Sequence, residues 1–484
     1  MQESLVSILV PLYNEEEFIG EILRRVMAAP LPAGLSREII VVDDGSTDES
    51  AAIAESVARL HPENIRLVRA ERNRGKGAAI REAVRHAHGK YCLIQDADLE
   101  YSPADYPQLL QPLVDGVADV VYGSRFASSG RRRVLYFWHS VANHLLTTLC
   151  NLISDLNLTD METGYKAFRT SLLQSVPIRS NRFGIEPELT VKLAKRQARF
   201  YEVPVSYEGR TYEDGKKIGL RDALQAVLVI IRNWLTDDLY TDPGAEILDA
   251  LSVAPRFNRW MAETIKPYVG QRVLEIGAGM GNLTRHLMRR REHYVATDID
   301  LEHLVRLRNR LQHHTRLEIS VCNLARSEDF DRFAGAMDTL ICLNVLEHME
   351  DDLACLGNLL RTLAPGGRAI VLVPQGQELF GQLDIVLGHR RRYSHQDLTE
   401  RMRQAGFLIE RVIGFNRISR PGWFLKSKLL GQARLARYQV KAFDRFVWLW
   451  RRIDPLLPWK PTSIIAIGRK PDSGEGQARD LQRS

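Results

Sequence analysis

At 484 residues the chain is too long for one ordinary domain, and about two to three are expected. Its 45% hydrophobic and 26% charged content is that of a soluble globular protein. A net charge of +6 favours an anionic partner such as a nucleotide, a lipid phosphate or a membrane surface. It falls far short of the basic stripe of a nucleic-acid binder, so no nucleic acid is expected as a partner.

Met1 is followed at once by a strand-like run, which is not the pattern of a signal peptide. From Leu5 to about Phe126, strand patterns (LVSILVPLY, REIIVVDD, IRLVRA, YCLIQDA, DVVYGSR) alternate with helical ones such as EEEFIGEILRRVM and GKGAAIREAVRHAHG. That alternation predicts a parallel sheet covered by helices. A helix over YFWHSVANHLLTTLCNLISDL follows, then the polar turn TDMETGYK and a helix from about Glu186. A strand in FYEVPVSYEGR and a helix over Leu220 to about Leu235 complete the first half. AVLVII, Ala226 to Ile231, is the longest strongly apolar run, far below the roughly 20 residues that span a bilayer.

DDLYTDPGAEIL is acidic, carries Pro243 and Gly244 and lacks strong periodicity, so the domain boundary is placed there. A second alternating series starts after it: RVLEIG, HYVATDID, LEISVC, MDTLICLNV, GRAIVLVP, FLIERVIGF and SIIAIGRK. The expected division is a domain over 1–240, a linker over 241–254, a second domain over 255–470 and a disordered tail over 471–484. The cysteines, at 92, 150, 322, 342 and 355, are odd in number and scattered in apolar contexts. They read as buried free thiols in a reducing compartment. The chain is expected to be cytoplasmic, with peripheral contact at the inner face of the membrane left open.

Asp96 and Asp98 flank Ala97 at the end of the fourth strand pattern. Residues two apart on a strand share a face, so both carboxylates would reach one Mg²⁺ or Mn²⁺ on a nucleoside diphosphate. Alone, Asp-x-Asp also fits a solvated strand end. VPLYNEEE, VVDDGSTDES, NRGKGAAIREA and VYGSRF add polar loops at the carboxyl edge of the same sheet, where α/β folds bind ligands.

With these motifs, the chain from about Ser4 to about Asn233 resembles the family-2 glycosyltransferases of GT-A fold, in the dolichyl-phosphate mannose synthase-like group. The resemblance implies inverting transfer of a sugar from a nucleotide-sugar donor to a polyprenyl phosphate. It places Pro11, Tyr13, Glu15, Val42 and Asp44 around base and ribose, and Asp96, Ala97 and Asp98 at metal and diphosphate. Arg125 would face the phosphates, Arg210 and Lys216 would close over a phosphate, and Asp160 and Glu162 would line the acceptor side. Two residues depart from relatives: Glu100 replaces a glutamine beside the metal, and His139 replaces an arginine. A phosphate acceptor is already ionised near neutral pH, with a second pKa near 6, and needs no base. A glycan hydroxyl would need one, and Asp160 is then the best candidate, its alternative being a turn or helix cap. The helix GLRDALQAVLVIIRNWL reads either as interfacial or as core-packed.

In the second half, Glu275, Gly277, Gly279 and Gly281 follow a strand and open a helix, and Asp298 ends the next strand, placed for ribose hydroxyls. MDTLICLNVLEHMEDD brings Asp338, Asn344, Glu347 and His348, and LAPGGRAIVLVP brings a turn before a fifth strand. That ensemble, over about Pro255 to Lys470, resembles class I S-adenosylmethionine-dependent methyltransferases, a Rossmann-like fold. The resemblance implies that Glu275, Gly277, Gly279 and Asn282 line the methionine side and that Asp298 and Ile299 hold adenosine. Asn323 stands where relatives often have an acidic residue, and Asn344, Glu347 and His348 border sulfonium and acceptor. His348 and His389 are candidate proton acceptors. The arginines of GHRRRYS read as an anion site or a solvated basic face. The insert carrying Trp423, Trp448, Trp450 and Trp459, with Lys426, Lys428, Arg434, Arg437, Arg451 and Arg452, reads as a helical lid or a lipid contact.

The reading is an α/β chain of two doubly wound domains. One transfers a sugar with Mg²⁺ or Mn²⁺, and the other uses S-adenosylmethionine to methylate a sugar or glycan intermediate. The alternative is transfer to a glycan hydroxyl, with the second domain a regulatory or scaffolding module.

Overall fold

Runs rich in Val, Ile and Leu form the first sheet: β1 (Ser4–Leu12), β2 (Leu35–Asp43), β3 (Ile65–Arg69), β4 (Tyr91–Ile94), β5 (Val120–Ser124), β6 (Lys166–Arg169) and β7 (Phe200–Pro204). The structure, a computed structural model, describes residues 4–127, 137–209, 220–241, 243–311, 314–425 and 437–472. It divides into two units, Met1–Thr241 and Asp242–Ser484.

The first sheet runs β3-β2-β1-β4-β6-β5-β7. Its inner strands are apolar on both faces because helices cover both: Ile8 and Val10 pack on one side, Leu9 with Ile40 and Val42 on the other. The sheet is mixed rather than parallel. β6, which begins at the last residue of the predicted polar turn and was not foreseen, lies antiparallel between β4 and β5. Strand order reverses between β1 and β4, and the loops after both meet at that switch point.

The second sheet consists of β8 (Arg272–Ile276), β9 (His293–Asp298), β10 (Leu317–Val321), β11 (Met337–Leu343), β12 (Leu363–Pro374), β13 (Leu408–Phe415) and β14 (Ser463–Arg469). The order is β10-β9-β8-β11-β12-β14-β13, with β14 antiparallel to both neighbours. The switch point falls between β8 and β11, which places the glycine loop beside the Asn344 segment. The five cysteines are free and buried.

The predicted linker holds a helix, Pro243–Ser252. Ile247 and Ala250 are buried, Ala250 and Ala254 pack with Val440, and Asp249 pairs with Arg437 at 2.9 Å. The acidic, Pro-Gly opening hid that apolar spacing. Among the described residues no helix is long and apolar enough to cross a membrane. The predicted tail beyond 472, and Lys426, Lys428 and Arg434, lie outside the described residues.

The helix Lys76–Arg85 packs its first turn against main chain. A Cβ on Gly77 would stand 2.3 Å from the carbonyl oxygen of Ser180. Gly77→Ala should therefore destabilise the first unit by about 1–3 kcal/mol, as overpacking does. Urea unfolding read by circular dichroism checks this, and an unchanged midpoint would refute the close approach.

Candidate functional sites

β4 ends at Ile94, so Asp96 and Asp98 sit in the following loop and not on the strand. Strand alternation therefore does not bring them together. The root of the loop is fixed instead by buried Gln95, whose Oε1 accepts from the hydroxyls of Tyr106 (2.8 Å) and Tyr165 (2.7 Å). Asp98 Oδ1 then accepts the backbone N–H of Glu100 at 3.1 Å. Asp96 Oδ1 lies 2.7 Å from Lys76 Nζ, which also reaches Glu186 at 3.2 Å. Only glycine fits opposite, since a Cβ on Gly164 would stand 2.3 Å from Asp96 Oδ2.

Around this loop lies a set of buried charges that sequence reading only half found. Burial pulls the Lys76 amine down, but Asp96 and Glu186 outweigh it and raise it overall. Burial pushes the Glu162 carboxyl up, with Glu186 adding to the effect, and pulls the Lys166 amine down. Glu162 Oε1 and Glu186 Oε2 are buried without a hydrogen-bond partner. Lys76, Lys166 and Glu186 were not predicted as site residues. Lys76 had a signal in NRGKG, whereas the other two are identifiable only through burial. Hard carboxylate oxygens dominate this donor set, and unpaired buried ones among them fit a cation such as Mg²⁺ or Mn²⁺.

Arg125 and Asp160 form the second feature. Nε donates to Oδ2 at 2.6 Å, Nη2 to Oδ1 at 2.7 Å, and the Arg125 backbone N–H to Oδ2 at 3.0 Å. Asn143 Nδ2 adds a fourth donor at 3.2 Å. Glu202 on β7 accepts the backbone N–H groups of Thr159 and Asp160, holding that loop. Burial alone would raise the Asp160 carboxyl, but the Arg125 guanidinium reverses this and holds it below the usual carboxylate range. Arg125 stacks over Tyr207 at 5.2 Å, and Tyr207 donates to Glu100 at 3.0 Å.

Pro11 lies in β1 and Val42, buried, in β2, with Tyr13 half-exposed beyond β1. The Glu15 backbone N–H donates to Ser50 Oγ at 2.7 Å. The Asp44 carboxylate is spent on the chain itself, accepting the backbone N–H groups of Arg74 and Gly75. Asn14, in the left-handed region at φ 51°, ties the two loops together through the Thr47 backbone N–H at 2.8 Å. Arg210 and Lys216 lie outside the described residues, as does the His139 side chain.

In the second unit Gly277, Gly279 and Gly281 all take positive φ (71°, 54° and 76°). A Cβ on Gly277 would stand 2.3 Å from Val345 Cγ2, so the loop after β8 presses on the segment after β11. The buried Glu275 carboxylate points inward, with Oε2 accepting from Thr284 (2.7 Å) and Tyr294 (2.9 Å). Asp298 accepts the backbone N–H groups of Gly279 and Asp300 at 2.8 and 2.9 Å, and Ile299 beside it is exposed. Asn282 Oδ1 accepts from Arg310 at 3.1 Å. The Asn323 backbone N–H donates to Asp329 at 2.7 Å, so an acidic group does stand there, from another position. Asn344 takes φ 55° at the end of β11.

Glu347 is fully buried, and burial pushes its carboxyl up to about 8, tempered by its own backbone N–H. His348 and His389 meet edge to face at 4.9 Å. Burial, then His389, pull the His348 imidazole below its usual value. Of the arginines of GHRRRYS, two are tied to buried carboxylates and one stays on the solvated surface. Arg392 is buried on Asp384 at 2.9 Å, Arg391 pairs with Asp352 at 3.3 Å, and Arg390 reaches Glu350 at 3.9 Å. In the aromatic insert, Trp450 and Trp459 donate to the carbonyls of Phe443 and Arg417, while Trp448 is exposed.

Two family models match the chain: glycosyl transferase family 2 over residues 7–176, and a methyltransferase domain over 274–369. The glycosyltransferase AglJ of Haloferax volcanii is 34% identical over 206 residues, covering 42% of this chain and 63% of that protein. A dolichol-phosphate mannosyltransferase of Pyrococcus furiosus is 26% identical over 216 residues, covering 44% and 59%. The chain thus spans under two thirds of the length of these relatives. The first unit belongs to glycosyl transferase family 2. A solved S-adenosylmethionine-dependent methyltransferase from Mesorhizobium loti aligns with a TM-score of 0.31 at 14% identity, over 43% of this chain and 96% of that one. By the two family models, the family-2 unit is joined in one chain to a methyltransferase domain.

In the methyltransferase unit, Asp298 and His303 supply a pH-dependent contact, with Nδ1 3.6 Å from Oδ1. Backbone N–H groups and His303 outweigh burial and hold Asp298 below its ordinary 3.8, while Asp298 holds His303 above its ordinary 6.5 against burial. The carboxylate's contribution exists above about 3.8 and fades as pH falls through the lowered value; the imidazolium's exists below about 6.5 and fades as pH rises through the raised one. Urea unfolding of the wild type should lose on the order of 1 kcal/mol as pH rises through and beyond the raised His303 value. His303→Gln should flatten that dependence, and an equally steep profile in the variant would refute the pair.

Proposed function

We propose that the chain is a bifunctional enzyme. The family-2 unit transfers a sugar, with inversion, from a nucleotide-sugar to a polyprenyl phosphate. The second unit methylates a sugar or glycan intermediate with S-adenosylmethionine.

Asp160 carries the acceptor assignment. A glycan hydroxyl would need a carboxylate to take its proton, and Asp160 is the best-placed candidate. Its oxygens are occupied by Arg125 and Asn143, and Arg125 keeps it ionised at low pH, which makes it a weak proton acceptor. A phosphate needs no base, only cationic groups and alignment. The dolichol-phosphate named for the Pyrococcus relative is an acceptor of that class.

Asp96 and Asp98 would hold Mg²⁺ or Mn²⁺, which when bound neutralises charge on the departing nucleoside diphosphate. Lys76 stands on Asp96 and would yield to, or share, the diphosphate charge. The loop tied by Asn14 and Thr47 would receive base and ribose. In the second unit, the left-handed glycine turn lets backbone approach the methionine part of the donor, and Asp298 with Ile299 would hold adenosine. His348 and His389 border the place where the methyl acceptor would sit.

A lipid acceptor requires contact with a membrane. The helices Phe137–Ser154 and Leu220–Leu235 bury one face and expose large apolar residues on another, among them Trp138 (73%), Leu152 (81%), Leu228 (66%) and Trp234 (52%). Peripheral binding at the inner face of the membrane would cover them, as with amphipathic interfacial helices.

Asp98→Ala should lower metal-dependent transfer of radiolabelled sugar into a mild-acid-labile lipid fraction by roughly 10²–10³-fold. S-adenosylmethionine affinity, read by calorimetry, should be unchanged. Label confined to water-soluble glycan in the wild type would refute the lipid acceptor, and loss of both functions in the variant would refute independent sites. Trp138→Glu with Leu228→Glu should abolish co-sedimentation with anionic phospholipid vesicles. Equal sedimentation would refute interfacial docking of these helices.

A further inference from the structure

Glu347 is buried to 0% exposure, yet neither carboxylate oxygen has a hydrogen-bond partner. A carboxylate taken out of water is costly unless paired, hydrogen-bonded or bound to a metal. The Arg392 charge acts on it from a distance, and two imidazoles stand close to it. His389 Nε2 lies 3.7 Å from Glu347 Oε1, and one donor atom each from Glu347, His348 and His389 fall within 4.8 Å of one another.

The imidazoles are also oriented from behind. His389 Nδ1 meets the buried Asp384 carboxylate at 2.9 Å, which leaves Nε2 as the nitrogen directed at Glu347. Asp384 is itself held by Arg392 at 2.9 Å. His348 Nδ1 lies 3.2 Å from the Gly388 carbonyl, and the Asn344 carbonyl also faces its ring. A carboxylate or carbonyl behind each histidine is how metal-ligating imidazoles are fixed in tautomer and direction.

We propose that Glu347, His348 and His389 form a binding site for a divalent first-row transition cation such as zinc. Two imidazole nitrogens favour such an ion over Mg²⁺, whose preferred donors are oxygens. Bonds of about 2.0–2.2 Å place tetrahedral donors about 3.4 Å apart, so the three side chains close inward by roughly 1 Å on binding. Three protein ligands leave coordination positions open. Val345, two residues before Glu347, abuts Gly277, which puts the segment leading into the site beside the glycine loop. The site would therefore grip an oxygen-bearing methyl acceptor; that role, unlike the cation site itself, rests on the methyltransferase reading.

The test uses the full chain, stripped with a chelator, and its Asp98→Ala form, in which the first unit's carboxylate pair is broken. Zinc binding is followed by calorimetry and by metal analysis after dialysis, and cobalt(II) serves as a visible-absorption probe of imidazole ligation. Wild type and Asp98→Ala should each bind one equivalent that His389→Ala, His348→Ala and Glu347→Gln lack, with the cobalt band lost in both histidine variants. Asp384→Asn should weaken that equivalent by about 10- to 100-fold. Metal-free unfolding midpoints of the Glu347→Gln, His348→Ala and His389→Ala variants identify any loss caused by misfolding. A zinc stoichiometry and cobalt spectrum that survive all three ligand substitutions in folded protein would overturn the proposal, as would no binding by wild type. S-adenosylmethionine affinity of the metal-free wild type is measured alongside. Its absence would sink the methyltransferase reading and leave the cation site standing or falling on the zinc data alone.

Discussion

The first site depends on one buried charge pair. Asp160 is fully inaccessible, and Arg125 answers it with a side-chain fork and a backbone N–H. A buried pair of this kind contributes little net stability, but removing one partner costs about 3–5 kcal/mol because the other is stranded. Arg125 at the end of β5 and the loop that precedes β6 are therefore held in one arrangement. Tyr207 extends that arrangement to Glu100, and through the loop to Asp98 and Asp96. The pair also decides chemistry, since a carboxylate locked as an anion holds charge in place and is a poor general base.

Both units follow the same architectural rule by different means. In each, strand order reverses between two central parallel strands, and the loops that leave their carboxyl ends flank the switch point where α/β folds form a ligand crevice. The first unit lines that crevice with carboxylates and lysines, as suits a phosphate-bearing ligand with its cation. The second lines it with main chain, because its left-handed glycines bring backbone close, and adds a cluster of imidazole and carboxylate that begins in the segment after β11. The same topology thus presents charged side chains in one unit and left-handed main chain in the other.

Apolar strand runs, the glycine spacing and the acidic residues ending β9 were all legible along the chain, because each is a local pattern. The helix Leu220–Leu235 was legible too, but not what its faces meet: it buries Ala226 and Ile230 and still exposes Leu228 and Trp234. β6 was missed because KAFR is only four residues long and has little pattern of its own, and its strand forms where β4 and β5 offer edges on either side. The helix Pro243–Ser252 was taken for a linker because its apolar residues are short and its opening is acidic. The arginines of GHRRRYS looked like a free basic run, and their partners Asp352 and Asp384 come from other segments.

Sequence alone determined the two α/β units, their order, and the strands whose ends carry Asp96, Asp98, Gly277, Gly279 and Asp298, because hydrophobic period and turn chemistry are properties of neighbouring residues. Tertiary structure decided which polar groups are left to act. It joined Lys76 to Asp96, locked Asp160 onto Arg125, turned Glu275 inward, and gathered Glu347, His348 and His389 across more than one loop. The physical reason is that burial sets the cost of a charge, and burial is known only once distant segments have packed around it.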